Sequence, residues 1–175
     1  LIADPEFPNK LKEGHREDIR PCILCNEECI GRIWGRRTSL SCTVNPAAGF
    51  GPHMEIEPVS KPKNVVVIGA GPGGMEAART AALRGCSVTI YDKQPHMGGT
   101  FKTIATGDFK KRMRELAQWY EVQLGKLGVK FVGNTEITAD DPILASADEI
   151  FVALGSKSVV PRLPGIDNKK VIGVI

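Results

Sequence analysis

From residue 63 onward, apolar residues occur in blocks whose lengths and spacing match strands and helices. Residues 65–68 form a short continuous apolar run, which is typical of a buried parallel strand. Residues 73–84 are rich in alanine and predict a helix that ends at Gly85. Residues 87–91 predict a second strand, so this stretch has the pattern of a strand–helix–strand unit.

The rest of this region continues the alternation. Apolar residues keep one helical face from Phe109 onward, and Gly128 would end that helix. Further strands are expected at 129–131 and 150–154, with a hairpin strand near 135–138. This order predicts an α/β fold with a doubly wound parallel sheet of the Rossmann type. The residues on the helical face are Phe109, Met113, Leu116, Ala117, Tyr120, Leu124 and Leu127.

The first 62 residues lack this regularity. Residues 1–20 are charged with a few apolar positions, and residues 21–62 hold four cysteines followed by a Gly/Pro-rich stretch typical of loop and linker. The chain begins without Met and ends on an apolar run, residues 171–175, that has the pattern of a strand. We therefore expect a piece of a larger protein.

Composition narrows the class of protein. The 175 residues are 42% hydrophobic and 25% charged, as in a soluble globular domain with a sizeable core. The net charge of +3 is too small to indicate nucleic-acid binding. No apolar run reaches the roughly 18 residues of a membrane span. With no signal peptide visible, we expect a reducing, cytoplasmic location.

A glycine motif follows the first predicted strand. Gly69, Gly71 and Gly74 form G-x-G-x-x-G between that strand and the next helix, and Asp92 ends the second strand eighteen residues beyond Gly74. In a dinucleotide fingerprint these glycines allow a tight turn, a close approach to pyrophosphate and close packing of helix on strand. The alternative is a glycine turn in an α/β domain that binds no nucleotide.

The fingerprint alone does not choose the nucleotide. Asp92 can accept hydrogen bonds from ribose hydroxyls, and its charge disfavours a ribose 2′-phosphate. FAD, ADP and NAD all remain open. A second glycine pair, Gly98 and Gly99, follows Asp92 closely and indicates another flexible segment near the nucleotide.

Four of the five cysteines are clustered with the spacing C-x2-C-x3-C-x12-C: Cys22, Cys25, Cys29 and Cys42. In a reducing compartment such a cluster indicates a metal rather than disulfides. Zinc sites more often use paired C-x2-C motifs or later histidines, so the spacing favours an iron–sulfur cluster, with zinc and free thiols left as alternatives. Cys86 stands apart and is expected to be a small buried residue.

The motifs together resemble one family. Residues 18–30 with 42–46, then 67–78, Gly98-Gly99, 153–155 and 160–162, are similar to the iron–sulfur flavoenzymes related to old yellow enzyme. That family includes 2,4-dienoyl-CoA reductase, 2-enoate reductases, and trimethylamine and histamine dehydrogenases. The resemblance covers essentially the whole chain.

The resemblance implies a larger protein with a TIM barrel that holds FMN and substrate, a 4Fe–4S cluster, an FAD domain and an NAD(P)H domain. Residues 1–20 would be the tail of a missing barrel, and residues 21–62 the iron–sulfur segment and linker. Residues 63–175 would be an incomplete FAD-binding domain that ends near the start of the NAD(P)H domain. Catalytic residues would lie in the barrel, so none is assigned in this chain.

Motif by motif, the resemblance implies that Cys22, Cys25, Cys29 and Cys42 bind the cluster. Asp92 stands where the family often has Glu, and Leu154 where it has a small polar residue. Both differences bear on how the nucleotide would sit. The residues that the resemblance assigns to FAD are Gly69, Gly71, Pro72, Gly73, Gly74, Asp92, Lys93, Gly98, Gly99, Thr100, Ile137, Ala153 and Gly155.

Three functions follow as hypotheses. The leading one is a reductase in which electrons pass from NAD(P)H through FAD and the cluster to FMN, which reduces an activated C=C bond of an enoate or a 2,4-dienoyl-CoA. The second is an amine dehydrogenase of the trimethylamine dehydrogenase type, with ADP in this domain. The third is a non-catalytic nucleotide-binding module with a structural zinc. The expected partner is a small-molecule substrate in the missing barrel, without nucleic acid or membrane, and the full-length protein could form a homo-oligomer.

Overall fold

The computed structural model describes residues 1–157 and 159–172. Its sheet has four parallel strands in the order β3-β2-β1-β4. The strands are β1 (Asn64–Ile68), β2 (Ser87–Tyr91), β3 (Lys130–Val132) and β4 (Glu149–Val152). The α-helices are α1 (Phe7–Lys12), α2 (Pro72–Leu83), α3 (Thr100–Ile104), α4 (Lys111–Lys126) and α5 (Pro142–Ala145). Single 3₁₀ turns span Arg16–Asp18, Gly51–Met54 and Asp108–Lys110, and a π-helix spans Gly31–Arg36.

The core lies between the sheet and two helices. Alternate residues of β1 and β2 meet apolar side chains of α2 and α4, and the wider cluster is buried. Removing this apolar surface from water is the main force that holds the helices on the sheet. The side chains at this contact are Val65, Val67, Val88 and Ile90 from the strands, and Met75, Ala78, Leu116 and Leu124 from the helices.

The strand order has a functional consequence. β1 pairs with β2 on one side and with β4 on the other, so the chain direction across the sheet reverses at β1. In open α/β sheets, ligands bind outside the carboxyl ends of the strands at such a switch point. The predicted fold class is confirmed, and Gly69, the first glycine of the fingerprint, follows β1 at this point.

Two details of the predicted elements are wrong. Residues 135–138 form no hairpin strand, because the backbone N–H groups of Asn134 and Thr135 donate to the carbonyls of Gln94 and Asp92 and so extend the β2 side instead. Phe109 is 87% exposed rather than on the buried helical face, because α4 begins only at Lys111. The end of the apolar run at 171–175 lies outside the described residues.

The N-terminal segment is tied to the domain through α4. The Trp119 indole Nε1 donates to the carbonyl of Asp18 at 3.0 Å. The carboxylate of Asp18 accepts from Gln123 and from Lys126, each at 2.7 Å. These hydrogen bonds lower the pKa of Asp18, with Lys126 the larger cause. Within the described part of the chain, no helix is long and apolar enough to cross a membrane.

Candidate functional site

Two glycines of the fingerprint are required by packing. Gly69 has φ +107°, and a Cβ on it would lie 2.3 Å from the carbonyl oxygen of Ala153. A Cβ on Gly74 would lie 1.9 Å from the carbonyl oxygen of Gly69. Both distances are far below van der Waals contact, so any larger residue would push the turn, α2 and the end of β4 apart.

Gly71 and Gly73 are different. A Cβ on either residue would meet no protein atom within 4 Å. Their lack of a side chain therefore serves no internal packing, and it leaves an open cradle at the N-terminus of α2. Backbone N–H groups of a first helical turn have no helical acceptor, and with the helix dipole they favour an anion such as pyrophosphate. The cradle fits the pyrophosphate of a dinucleotide.

Ala70 joins three segments of the site through its backbone alone. Its N–H donates to Oδ2 of Asp92 at 2.6 Å, and its carbonyl accepts the N–H of Gly98 at 2.9 Å. Gly99 packs so closely that a Cβ on it would lie 2.9 Å from the Cα of Gly71. The fingerprint turn, the end of β2 and the 98–99 segment are thereby held together by contacts between the protein's own atoms.

Asp92 braces the site. Besides the bond to Ala70, its Oδ1 accepts the N–H of Gln94 at 2.8 Å. Each carboxylate oxygen still has a second lone pair, which is free by chemistry to accept a ribose hydroxyl. That Asp92 binds the ribose stays a prediction. That its carboxylate holds the backbone N–H groups of Ala70 and Gln94 is a finding, and the sequence motif did not indicate it.

The remaining residues assigned to FAD lie on the segments that follow β2, β3 and β4. Thr100 begins α3 directly after Gly99, and Gly155 follows β4 with φ +75°. Lys93 is exposed next to Asp92. Ile137 is half-buried in irregular backbone beyond the bond from Thr135 to the Asp92 carbonyl.

The four clustered cysteines are free thiols on one irregular segment. Cys22 and Cys25 are exposed, and Cys29 and Cys42 are half-buried. The N–H of Leu24 donates to Sγ of Cys22 at 3.4 Å. Hydrogen bonds to sulfur of this kind tune the potential of iron–sulfur centres.

The segment between the cysteines carries unusual backbone. Leu24 and Asn26 have φ of 58° and 56°, a left-handed conformation that costs a residue such as leucine roughly 1–2 kcal/mol. The π-helix Gly31–Arg36 lies between Cys29 and Cys42, and π-helical turns are frequent at functional sites. Strain held at a loop that carries four thiols is typical of a ligand-binding segment.

The side chains of the four clustered cysteines are the donors that a metal centre here would use. Among the residues that the structure describes, no three cysteine sulfurs lie mutually within 4.8 Å of one another. A tetrahedral zinc with bonds of about 2.3 Å would bring its thiolates to about 3.8 Å from each other. A cubane cluster, with an iron at each thiolate, holds its ligands farther apart. Four thiolates are a donor set that a 4Fe–4S cluster takes, one for each iron, and that a structural zinc ion also takes.

Cys86 is less buried than predicted. It is half-buried rather than fully buried, although it packs against the apolar core as expected.

A largely buried ionic group joins Arg20, which precedes the cysteine segment, to α2, and no sequence motif indicated it. Arg20 is only 6% exposed, and its guanidinium lies 4.6 Å from the ring centre of Trp119. Glu76 lies between Arg20 at 3.5 Å and Arg79 at 3.2 Å. Burial lowers the pKa of Arg79 and, with the charge of Glu76, raises the pKa of Tyr120.

Comparison with known proteins places this geometry in a family. The model of the pyridine nucleotide-disulphide oxidoreductase family matches residues 63–175. The chain belongs to that family. The matched region begins just before β1 and contains the fingerprint, Asp92 and the 98–99 segment.

Relatives of this pyridine nucleotide-disulphide oxidoreductase chain extend the match to the cysteines. It is 42% identical over 172 residues to an NADH oxidase of Thermoanaerobacter brockii, covering 97% of this chain and 26% of the relative. It is 38% identical over 167 residues to a cinnamate reductase of Clostridium sporogenes, covering 95% and 25%. The predicted resemblance to reductases of this type is confirmed, as is the prediction of an oxidoreductase.

Solved structures of two enzymes resemble this chain in both fold and sequence. A 2-naphthoyl-CoA reductase matches with a TM-score of 0.89 and 41% identity, over 96% of this chain and 26% of that one. A histamine dehydrogenase from Rhizobium sp. 4-9 matches with a TM-score of 0.77 and 29% identity, over 89% and 23%. The chain spans about a quarter of the length of these proteins. The family and these relatives support flavin and pyridine-nucleotide cofactors.

Proposed function

We propose that this chain is the electron-transfer part of an NAD(P)H-dependent flavin and iron–sulfur oxidoreductase. The observation that carries the proposal is that one chain joins a dinucleotide cradle, held by its own backbone hydrogen bonds, to a segment with four free thiols. Gly71 and the first turn of α2 would hold the pyrophosphate of FAD, and the four clustered cysteines would hold a 4Fe–4S cluster. When bound, FAD supplies two-electron chemistry and the cluster supplies one-electron chemistry.

For the whole protein we propose the reduction of an activated C=C bond, in an enoate or a 2,4-dienoyl-CoA, at an FMN held in a barrel domain. Two relatives support this class of substrate: one is named for cinnamate, an enoate, and one for 2-naphthoyl-CoA, an aromatic acyl thioester. The division into a barrel tail (1–20), an iron–sulfur segment (21–62) and an FAD domain (63–175) is part of the same proposal. A small-molecule substrate, a cytoplasmic location and a possible homo-oligomer stay predictions.

The test uses the full chain prepared anaerobically with ferrous iron, sulfide and FAD. We expect retained FAD, about four irons per chain, and an EPR signal after reduction. Cys29→Ser should lose the signal, whereas Cys86→Ser, a matched thiol outside the cluster, should keep it. Stoichiometric zinc with no cluster signal would reject the proposal in favour of the structural-zinc module.

A second candidate is an amine dehydrogenase, favoured by the match to histamine dehydrogenase. The two candidates differ in the nucleotide retained here, FAD in the reductase and ADP in the dehydrogenase. Chromatography of the nucleotide released from the purified full chain decides between them. ADP without flavin would favour the dehydrogenase.

A further inference from the structure

Arg20 is buried, and both its backbone and its side chain make polar contacts with the protein around it. Its backbone N–H donates to Oδ2 of Asp4 at 2.8 Å, and its Nη1 donates to the carbonyl of Val44. Its Nη2 lies 3.5 Å from Oε1 of Glu76, and the guanidinium lies over Trp119. A guanidinium offers five donors in a rigid fork and stacks on aromatic faces, so this position uses features that lysine lacks.

The position of Arg20 along the chain ties it to the cysteines. Arg20 stands two residues before Cys22, and its acceptor Val44 stands two residues after Cys42. One side chain therefore fastens the two ends of the cysteine segment to each other. Thr43, next to Val44, has its hydroxyl 3.3 Å from Sγ of Cys25. A displacement of Val44 would therefore also move Thr43 and change its contact with the Cys25 thiol.

The same side chain connects the cysteine segment to the nucleotide helix. Glu76 and Arg79 are on α2, four and seven residues after Pro72, which begins that helix. Two guanidinium groups and one carboxylate leave this group with one net positive charge. Among the described residues, Oε2 of Glu76 and Nε of Arg79 are buried without a hydrogen-bond partner. Because two guanidinium groups share one carboxylate, the charges are only partly compensated, and solvent screens these largely buried side chains less than it would at the surface.

Burying an ion pair is usually a poor way to gain stability, because desolvation offsets the attraction between the charges. A net positive charge on a group that is hydrogen-bonded to Val44, two residues after Cys42, has a different use. An iron–sulfur cluster on four thiolates becomes more negative when it accepts an electron, and nearby positive charge favours that state. Arg20 joins this charge to the end of the cysteine segment at Val44, and Glu76 and Arg79 join it to α2.

We propose that the triad of Arg20, Glu76 and Arg79 positions the four-cysteine site and raises the reduction potential of the cluster bound there. This inference rests on the proposed 4Fe–4S function. Arg20 is a positioning residue that acts through Val44, and the net charge of the triad is the property that sets the potential.

The test compares variants that change the charge of the triad in opposite directions. Arg79→Gln removes the net positive charge and should lower the potential, whereas Glu76→Gln adds one positive charge and should raise it. For a change of one charge in largely buried surroundings we expect up to about a tenfold change in the ratio of oxidised to reduced cluster at fixed potential. For a one-electron centre that is about 59 mV.

The measurement is an anaerobic redox titration of the reconstituted full chain, followed by EPR. The control is Arg84→Gln, which removes an exposed positive charge just beyond the other end of α2 and should leave the potential unchanged. Arg20→Lys keeps the charge but loses the fork. It should keep the potential near that of the wild type and lose iron faster to a chelator.

The possible outcomes distinguish a failure of this inference from a failure of the proposed function on which it rests. If the wild-type chain yields no cluster signal, the proposed function fails. If the wild type has a cluster but Arg79→Gln and Glu76→Gln shift its potential in the same direction or not at all, the triad does not set the potential. A merely structural role would weaken cluster retention in both variants without opposite shifts. Both charge variants are on α2 rather than on the cysteine segment, so they test the field even if Arg20 variants fail to load iron.

Discussion

Two adjacent glycines provide a sharp test of the packing at the fingerprint. Gly73→Ala and Gly74→Ala make the same chemical change at neighbouring positions of α2. A Cβ at position 74 would lie 1.9 Å from the Gly69 carbonyl oxygen, whereas a Cβ at position 73 would meet nothing within 4 Å. Because the obstacle at position 74 is backbone, the helix and the turn must separate to admit the methyl group.

The magnitude follows from two opposing effects. Alanine is favoured over glycine in a helix by up to about 1 kcal/mol, and this gain is common to both variants. Overpacking costs about 1–3 kcal/mol and applies only to Gly74→Ala. The free energies of unfolding of the two variants should therefore differ by about 1–3 kcal/mol. For a domain of this size that corresponds to roughly 2–12 °C in the melting temperature.

The assay is thermal or urea unfolding of both variants, followed by circular dichroism in the absence of nucleotide. We expect Gly73→Ala to melt at or above the wild-type temperature and Gly74→Ala to melt below it. Equal melting temperatures for the two variants would show that the close approach of α2 to the fingerprint turn does not constrain position 74.

Four further outcomes are expected. Gly71→Ala places its methyl group in the cradle, so it should cost less than about 1 kcal/mol of stability yet retain much less nucleotide after gel filtration. Asp92→Asn puts an amide among donors and should cost about 1–3 kcal/mol in urea unfolding even without nucleotide. Burial raises the pKa of Tyr120, so the folded chain keeps this proton above pH 10, where the unfolded chain loses it. Stability should therefore fall as pH rises above about 10, and fall less in Tyr120→Phe. Leu24→Gly removes a left-handed leucine that is 68% exposed, so urea unfolding should show no loss of stability.

Much of the domain could be predicted because its signals are local. The apolar run of β1, the alanine-rich α2 and the stop at Gly85, which has φ +88°, each depend on a few neighbouring residues. The predicted hairpin failed because pairing is not local: the segment after β3 bonds to residues 92–94. The predicted place of Phe109 on the buried face of the helix was wrong because the helix starts only after the turn in which Arg114 donates to the carbonyls of Ala105 and Gly107.

The candidate site shows the same division. Glycine and cysteine spacing indicated the cradle and the thiol segment, since both motifs are contiguous. The triad was missed because Arg20 and Glu76 are 56 residues apart, and charged residues are expected at the surface. Trp119 was missed because it lies off the predicted apolar face, and Arg20 and Arg79 cover its ring.

The two backbone bonds of Ala70 bear on what nucleotide binding costs in entropy. A loop that had to order around its ligand would spend part of the binding energy on that ordering. Here the amide proton of Ala70 is already held by Asp92, and its carbonyl by Gly98. That proton should exchange slowly with deuterium in the free chain as well as in the bound one. Little of the binding free energy would then be lost to ordering this turn, because the protein's own hydrogen bonds hold its backbone.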